Sequence, residues 1–306
     1  MLMRVMLFSC IFLAQISYSQ AKLLPPTKSG PIRPFTAVKI TGDINVNLHT
    51  GYASPAARMS GYPEDLDLIT LRVSRVGVLC IETKKNTHFK GPVSADIRTH
   101  YLNGLEYHGT GKITGKHLRA NLERVVLVNK GSTEFKGVLR LGYLEALGPG
   151  YVQMSGVISP HLHVKLSSQA KVKLTGIASL RRLDMDGTSW FSMSWVSTPT
   201  LIVRATGKAY IQLAGIVNKL DAEIWDFSQL NARYLRARRA FVKTHGNSVA
   251  KISTTEHQHT LATDASDIRL YNLPEMKTDF MAFDGAVLDF RLFNTAFVQE
   301  PTPYNK

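Results

Sequence analysis

The stretch AYIQLAGIVNK (residues 209–219) is nearly a copy of AKVKLTGIASL (residues 170–180). Both contain an apolar–polar–apolar segment, then a Gly, then an apolar residue. With Ile211 as the anchor, the pattern continues in both directions at steps of 19 or 20 residues, which is too regular for chance. The anchor residues are Val152, Val172, Phe191, Ile211, Leu230, Val249, Ile268 and Val287. Less regular copies upstream place Ile113 and Phe135 in the same position.

Each repeat predicts a half-buried strand that follows a turn. The second residue after the anchor is also apolar, except at Lys251 and Asp289, and the residue between them is mostly polar. A period of two is typical of a strand with one buried face. Turn-forming segments such as DGTS (186–189) and HGNS (245–248) recur in phase before the strands.

The length of the repeat favours one architecture. A unit of about 19 residues is too short for a helix and two strands, and helix signals are nearly absent. The repeat therefore predicts a β-solenoid in which each copy forms one coil and coils stack about 4.8 Å apart. A leucine-rich repeat is the rival architecture, but its Leu/Asn pattern does not fit these copies. We expect the anchor side chains to form a single inward-pointing stack.

The ends of the chain predict export and an exposed leader. Residues 1–21 combine Arg4 with an apolar run and small residues, which is typical of a cleaved secretory signal. Residues 22–34 form a Pro-rich leader, and residues 298–306 a loose polar tail. After cleavage Cys80 is the only thiol, so we expect no internal disulfide, no transmembrane segment and a chain stabilised by packing.

The N-terminal third resembles a known family. FTAVKITGDINVNLHTG (35–51) and the Leu79-Cys80-Ile81 strand are similar to the opening of the GIN-domain proteins, described as auto-transporter adhesin heads of the bacterial envelope. The resemblance covers roughly residues 33–295. It implies an all-β, right-handed parallel β-helix with coils of about 19–20 residues, an envelope location and no established catalytic residues. We assign residues 35–297 to this GIN-like domain.

The charge balance favours anionic ligands. The chain has 37 Lys and Arg against 23 Asp and Glu, a formal net charge of +14. An exported basic protein is attracted to acidic polysaccharide, lipid head groups or nucleic acid, although a solvated cationic face without a partner explains the charge equally simply. The basic patch consists of Arg233, Arg236, Arg238, Arg239 and Lys243.

The residue before each anchor should face outward and supply a binding strip. That column reads Tyr151, Lys171, Trp190, Tyr210, Gln229, Ser248, Asp267 and Ala286, with Gln153, Lys173 and Gln212 beside it. Aromatic faces with neighbouring amides and cations suit sugar rings or anionic glycans. A covering segment, or bracing between coils, is the alternative explanation.

Catalytic and metal-binding signals are weak. Asp184 and Asp186 could divide acid and base duties in polysaccharide cleavage, although turn formation explains Asp186 without catalysis. The pairs His161/His163 and His257/His259 each supply two ligands without an identifiable third. No nucleophile-elbow, Walker or dinucleotide fingerprint occurs. We therefore expect no cofactor, no metal and no catalytic residue.

The sequence thus predicts an exported, non-enzymatic β-solenoid that binds a glycan or another anionic surface ligand. Its expected location is the periplasm, the outer surface or the medium, and its expected partner an acidic polysaccharide, a cell-surface glycan or an envelope protein, not nucleic acid. A polysaccharide-cleaving enzyme and a purely structural envelope protein are the alternatives.

Overall fold

The computed structural model describes residues 27–29, 32–84, 88–271, 277–282 and 286–290, and these form one 19-stranded sheet wound into a β-solenoid of about eight turns. The predicted solenoid is confirmed. The signal segment, the tail and most of the Pro-rich leader lie outside the described residues. In the part of the chain described, no helix is long and apolar enough to cross a bilayer.

The first third of the chain builds the N-terminal end of the solenoid. Its elements are β1 (Thr27–Ser29), β2 (Ala37–Thr41), β3 (Ile44–Thr50), β4 (Ala56–Ser60), α1 (Pro63–Leu66), β5 (Ile69–Val73), β6 (Val78–Thr83), β7 (Val93–Thr99) and β8 (Gly104–Gly109). Strand β2 lies between β6 and β8, and β3 lies between β7 and β9 (Ile113–Asn129), all in parallel. Strands β4 and β5 pair antiparallel with β7 and β6. These antiparallel strands cover sheet edges that would otherwise invite pairing with another chain.

From residue 113 onward each long strand is one coil. The strands are β9 (Ile113–Asn129), β10 (Ser132–Leu147), β11 (Tyr151–Ser167), β12 (Lys171–Met185), β13 (Trp190–Ala205), β14 (Tyr210–Ile224), β15 (Gln229–Thr244), β16 (Val249–Ala262), β17 (Asp267–Leu270), β18 (Lys277–Ala282) and β19 (Val287–Phe290). Neighbours from β9 to β16 pair in parallel. Each coil therefore contacts mainly the coil before and the coil after it.

Two bends and one turn divide each coil into three sides. In β14 the alternation of buried and exposed residues runs through 210–213, breaks at the first bend (214–216), resumes at Val217, and breaks again at the second bend (218–219). It then runs through 220–224, and the turn 225–228 leads to the next coil. We call the three stretches side 1, side 2 and side 3 in chain order, with side 2 including the residues at its two bends.

The inward stack exists on side 1, but with a different register from the predicted one. Strand pairing aligns Ile113, Thr133, Val152, Val172, Phe191, Ile211, Leu230, Ala250 and Ile268, all of them buried. Phe135 was therefore wrongly assigned, because it aligns with Met154, two residues further on. Val249 was also wrong: it aligns with Gln229 and is half-exposed, while Ala250 is fully buried.

The corrected register takes Lys251 out of the inward stack and changes the alignment of Asp289. With Ala250 in the stack, the second inward position belongs to Ile252, which is buried, and Lys251 turns outward. Likewise Leu288, not Val287, aligns with Ile268, so that Asp289 aligns with the half-exposed Arg269. The two breaks in the apolar column were errors of alignment, since an unpaired charge in such a core would be strongly destabilising.

Candidate binding surfaces of the solenoid

The outward column of side 1 is present over its most distinctive part. Tyr151, Lys171, Trp190, Tyr210 and Gln229 are consecutive pairing partners on adjacent coils. Tyr151 and Lys171 are exposed, and the two following aromatics are half-buried. Because adjacent strands lie about 4.8 Å apart, the three aromatic side chains and one cation span about 14 Å along the solenoid axis.

A second column lies beside the first. Gln153, Lys173, Ser192 and Gln212 pair in the same order, and all except the buried Ser192 are half-exposed. The structure thus brings all seven predicted strip residues onto one surface, which we call the side-1 strip: Tyr151, Gln153, Lys171, Lys173, Trp190, Tyr210 and Gln212.

Beyond Gln229 the predicted continuation of this column is correct at Asp267 and wrong at Ser248 and Ala286. Val249 follows Gln229, then Asp267, then Val287. Ser248 is fully buried at the end of a turn, where its Oγ donates to the carbonyl oxygen of Ile224 at 3.0 Å. Ala286 precedes the strand and is not part of the column.

Of the five residues of the predicted basic patch, four lie on side 2 or at its two bends, and only Lys243 lies on another side of the coil. Arg233 lies at the first bend with its guanidinium 4.7 Å from the ring centre of Tyr234. Arg236 lies on side 2, and Lys243 lies on side 3. Arg238 and Arg239 lie at the second bend, where with Lys219 they line a cavity of about 420 Å³.

Side 3 carries a charge ladder that sequence reasoning missed. Successive pairing partners alternate in sign over six coils: Glu145, Lys165, Asp184, Arg204, Glu223 and Lys243. Lys165 Nζ lies 3.3 Å from Glu145 Oε1, and Arg204 Nε lies 3.5 Å from Glu223 Oε2. The signal in the sequence was the spacing of these charges at 20, 19, 20, 19 and 20 residues. Because the ladder neutralises itself, the positive surplus of the chain falls on its other sides.

A family model for the "putative auto-transporter adhesin, head GIN domain" matches residues 34–274, which is well over half of the chain. The chain belongs to the GIN-domain family. The resemblance drawn from the N-terminal strands is therefore confirmed.

Two solved structures are similar to the chain, and the one with a TM-score above 0.5 shares its fold. A "putative adhesin" from Parabacteroides distasonis has 15% sequence identity and a TM-score of 0.52, over 87% of this chain and 96% of that one. A second "putative adhesin", from Parabacteroides merdae, has 16% identity and a TM-score of 0.47, over 88% of this chain and 97% of that one. At such identities the likeness concerns the fold alone. No curated protein matches the sequence.

The two carboxylates considered for catalysis in this GIN domain are both engaged in other contacts. Asp184 Oδ2 accepts hydrogen bonds from Arg182 Nε at 2.7 Å and from His163 Nε2 at 2.9 Å. Partial burial raises the pKa of Asp184, but these hydrogen bonds outweigh burial and hold the pKa below its ordinary value. A general acid needs the opposite shift, so Asp184 is a poor proton donor.

Asp186 serves the turn between two coils. Its carboxylate accepts from the backbone N–H of Ser168 at 3.0 Å and from the hydroxyl of Ser167 at 2.9 Å. The equivalent contact in later turns is made from one position further on, where Asp226 accepts from Gly207 N–H and Asp264 from Gly246 N–H. Asp186 therefore links successive turns, which agrees with the turn-forming interpretation.

The histidine pairs are held by their neighbours. His163 packs edge-on to the ring of Tyr143, and its Nε2 faces Asp184. His257 Nε2 lies 2.7 Å from His259 Nε2, and the ring of His259 stacks on Phe241. Within the described ranges no three His, Cys, Asp or Glu side chains are grouped so that they could hold a metal ion.

Asp184→Asn should destabilise the GIN domain by about 1 kcal/mol at neutral pH, because it removes one partly exposed ion pair. Since the pKa of Asp184 is lowered in the folded state, its contribution is present above the ordinary value of 3.8 and is lost as the pH falls below it. Urea unfolding of wild type and variant should therefore converge below that pH. Glu134→Gln, which breaks the more exposed pair with Lys136, is the control and should change stability less. A pH-independent difference at Asp184 would contradict the ion-pair account.

Proposed function

We propose that this GIN-domain protein is a non-enzymatic, adhesin-like binding protein of the cell envelope, and that its side-1 strip binds an anionic glycan. The observation that carries the proposal is the consecutive pairing of Tyr151, Lys171, Trp190 and Tyr210 on adjacent coils. Family membership supports an adhesin-like role and a location at the envelope.

The chemistry of the strip suits a carbohydrate chain. Aromatic rings offer an apolar face to the C–H surface of a sugar, while the amides of Gln153 and Gln212 can bond its hydroxyl groups. Lys171 and Lys173 lie between the aromatics and can pair with carboxylate or sulfate groups on the same chain. A linear polymer lying along the solenoid axis would meet these groups repeatedly.

Export is the second element of the proposal. The signal-like segment 1–21 and the net charge of +14 both support a protein that works outside the cytoplasm among acidic surface polymers. Protease access to the intact protein on whole cells would distinguish a surface location from a periplasmic one.

The test is the Trp190→Ala/Tyr210→Ala variant. Its retention on immobilised chondroitin sulfate and polygalacturonate should fall about tenfold or more, because two stacked aromatic contacts are lost, while far-UV circular dichroism stays unchanged. Trp225→Ala removes an exposed aromatic at a turn outside the strip and should bind like wild type. Undiminished retention of the double variant would remove the side-1 strip from consideration.

A further inference from the structure

Side 2 and its first bend expose a row of apolar side chains. Five consecutive coils contribute one each, with exposed fractions from 48% to 63%. We call them the bend ridge: Val138, Ile158, Ile177, Trp195 and Ile216. Ile158 pairs with Ile177, the pairing of Ala178 with Val196 places Ile177 beside Trp195, and Ile216 pairs with Ser197, two residues after Trp195. Single exposed apolar residues are ordinary, but a group of them on the same side of adjacent coils marks an interaction surface.

A cavity extends the apolar surface along side 2. It has a volume of about 430 Å³ and is lined by Arg140, Ile158, Ser159, Pro160, Ile177, Ser179 and Ser197. Two residues of the bend ridge, Ile158 and Ile177, form part of its lining, so the ridge includes a shallow groove.

Trp195 is held outward by a strained backbone. Its φ is +63°, in a region that bulky residues rarely adopt. The first bends of four neighbouring coils have Gly at positive φ: Gly137, Gly156, Gly176 and Gly215. At each of those glycines a Cβ atom would come within 2.1 Å of a carbonyl oxygen of the preceding coil. Coil β13 has one residue fewer than β12 between the flanking paired residues, which gives Trp195 a different bend.

Burial of the side chain does not offset this strain, because Trp195 is 58% exposed. A Gly would satisfy the same backbone without strain, as it does in the coils on either side. Strain that the fold itself does not use points to a function of the side chain.

Cations outnumber acids on side 2 of coils β10 to β15. The segments 136–141, 155–162, 175–181, 194–200, 214–219 and 233–239 together contain eight Lys and Arg and no Asp or Glu. Arg140, Arg181, Arg236 and Arg239 among them are exposed. Three acids lie beside these cations: Glu134 pairs with Lys136 at 2.7 Å, Asp221 lies 3.9 Å from Lys219, and Glu256 on the next coil pairs with Arg238 at 2.6 Å. Side 2 of these six coils still carries an excess of positive charge beside the bend ridge.

We propose that side 2 docks onto the surface of an anionic lipid bilayer. The bend ridge inserts Trp195 and the Ile side chains among the head groups, and the flanking arginines pair with lipid phosphates. Trp at the interface, aliphatic residues beneath it and cations around it are the combination that such a surface selects.

The two other classes of occupant fit less well. A second copy of the same face would bring together two surfaces with the same excess of positive charge, and these repel each other. A polysaccharide gains little from Ile177 and Ile216, because aliphatic side chains neither stack on sugar rings nor bond to hydroxyl groups. The proposal does not depend on glycan binding by the side-1 strip, which lies on a different side of the coil.

Flotation with vesicles tests the proposal. The protein should float with vesicles of phosphatidylcholine mixed with phosphatidylglycerol at least about tenfold better than with phosphatidylcholine alone. Trp195→Gly and Ile177→Ser/Ile216→Ser should each reduce flotation about tenfold, and Arg236→Glu/Arg239→Glu should do so on the mixed vesicles. Trp190→Ala on side 1 is the control and should float like wild type.

Two further measurements separate docking from a structural role. Trp195→Gly relieves backbone strain, so its thermal stability should equal or exceed that of wild type while its flotation falls. In the W190F/W225F variant, which retains Trp195 alone, tryptophan emission should shift to the blue when anionic vesicles are added. Equal flotation on both vesicle types, or wild-type flotation of the ridge variants, would overturn the proposal. So would ridge variants that keep flotation and lose only self-association or retention on polysaccharide.

Discussion

Replacing Ala250 by Lys should abolish the folded state of the C-terminal coils. Ala250 is fully buried in the inward stack, between Leu230 and Ile268 on the adjacent coils. A buried cation without a partner costs roughly 3–5 kcal/mol, and the extra volume costs about 1–3 kcal/mol more. The sum is comparable with the total stability of an ordinary domain. Far-UV circular dichroism and limited proteolysis should report loss of structure from β16 onward, because each coil depends on its neighbours.

Val249→Lys is the matched control for this prediction. The residue adjoins Ala250 in the chain but faces outward between Gln229 and Asp267, so that a cation there meets a polar and an acidic neighbour. Its stability should stay within about 0.5 kcal/mol of wild type. If Val249→Lys unfolded the protein and Ala250→Lys did not, the register of the inward stack would be the one with strictly 19-residue steps, and the observed pairing would be refuted.

This pair of residues shows what the sequence could predict and what it could not. The repeat, the strand on side 1 and the outward direction of the seven strip residues were predicted correctly, because the alternation within a strand depends on residues close together in the chain. The register beyond Leu230 was not, because the coils there differ in length: the stack advances 20 residues to Ala250 and 18 to Ile268. The irregularities fall at the bends, between Ala232 and Arg236 and between Ala237 and Arg239, where periodicity carries no signal. The sequence did contain a sign of this error: Lys251 and Asp289 are charged residues in a column that was predicted to be buried.

The directions of side chains beyond the first bend were out of reach for the same reason. Arg236 and Lys243 are close in sequence but lie on different sides of the coil, because the strand bends between them. Asp184 looked like half of an acid pair with Asp186, whereas its partners Arg182 and His163 depend on the stacking of β11 on β12. On a solenoid, the sequence can therefore predict which residues share one side of a strand. Contacts between residues on different coils can be predicted only when the pairing register of the coils is known.

Gly156→Ala should destabilise the protein by about 3–5 kcal/mol, the second large effect that the structure predicts. The φ of Gly156 is +81°, and a Cβ atom there would lie 1.8 Å from the carbonyl oxygen of Gly137. A left-handed backbone costs a non-Gly residue about 1–2 kcal/mol, and separating two hydrogen-bonded coils to admit the methyl group costs about 2–3 kcal/mol more. Chemical denaturation monitored by circular dichroism measures the loss.

Gly51→Ala separates the two contributions. Gly51 has nearly the same φ, +89°, but nothing lies within 4 Å of the position its Cβ would take. This variant should lose only the conformational part, about 1–2 kcal/mol. Trp195 shows that this fold accepts a positive φ in a large residue where the bend leaves room for Cβ. If the two Ala variants lost similar amounts of stability, backbone conformation alone would explain why the bends require Gly. A much larger loss of stability at Gly156 would mean that the close approach of successive coils adds to this requirement.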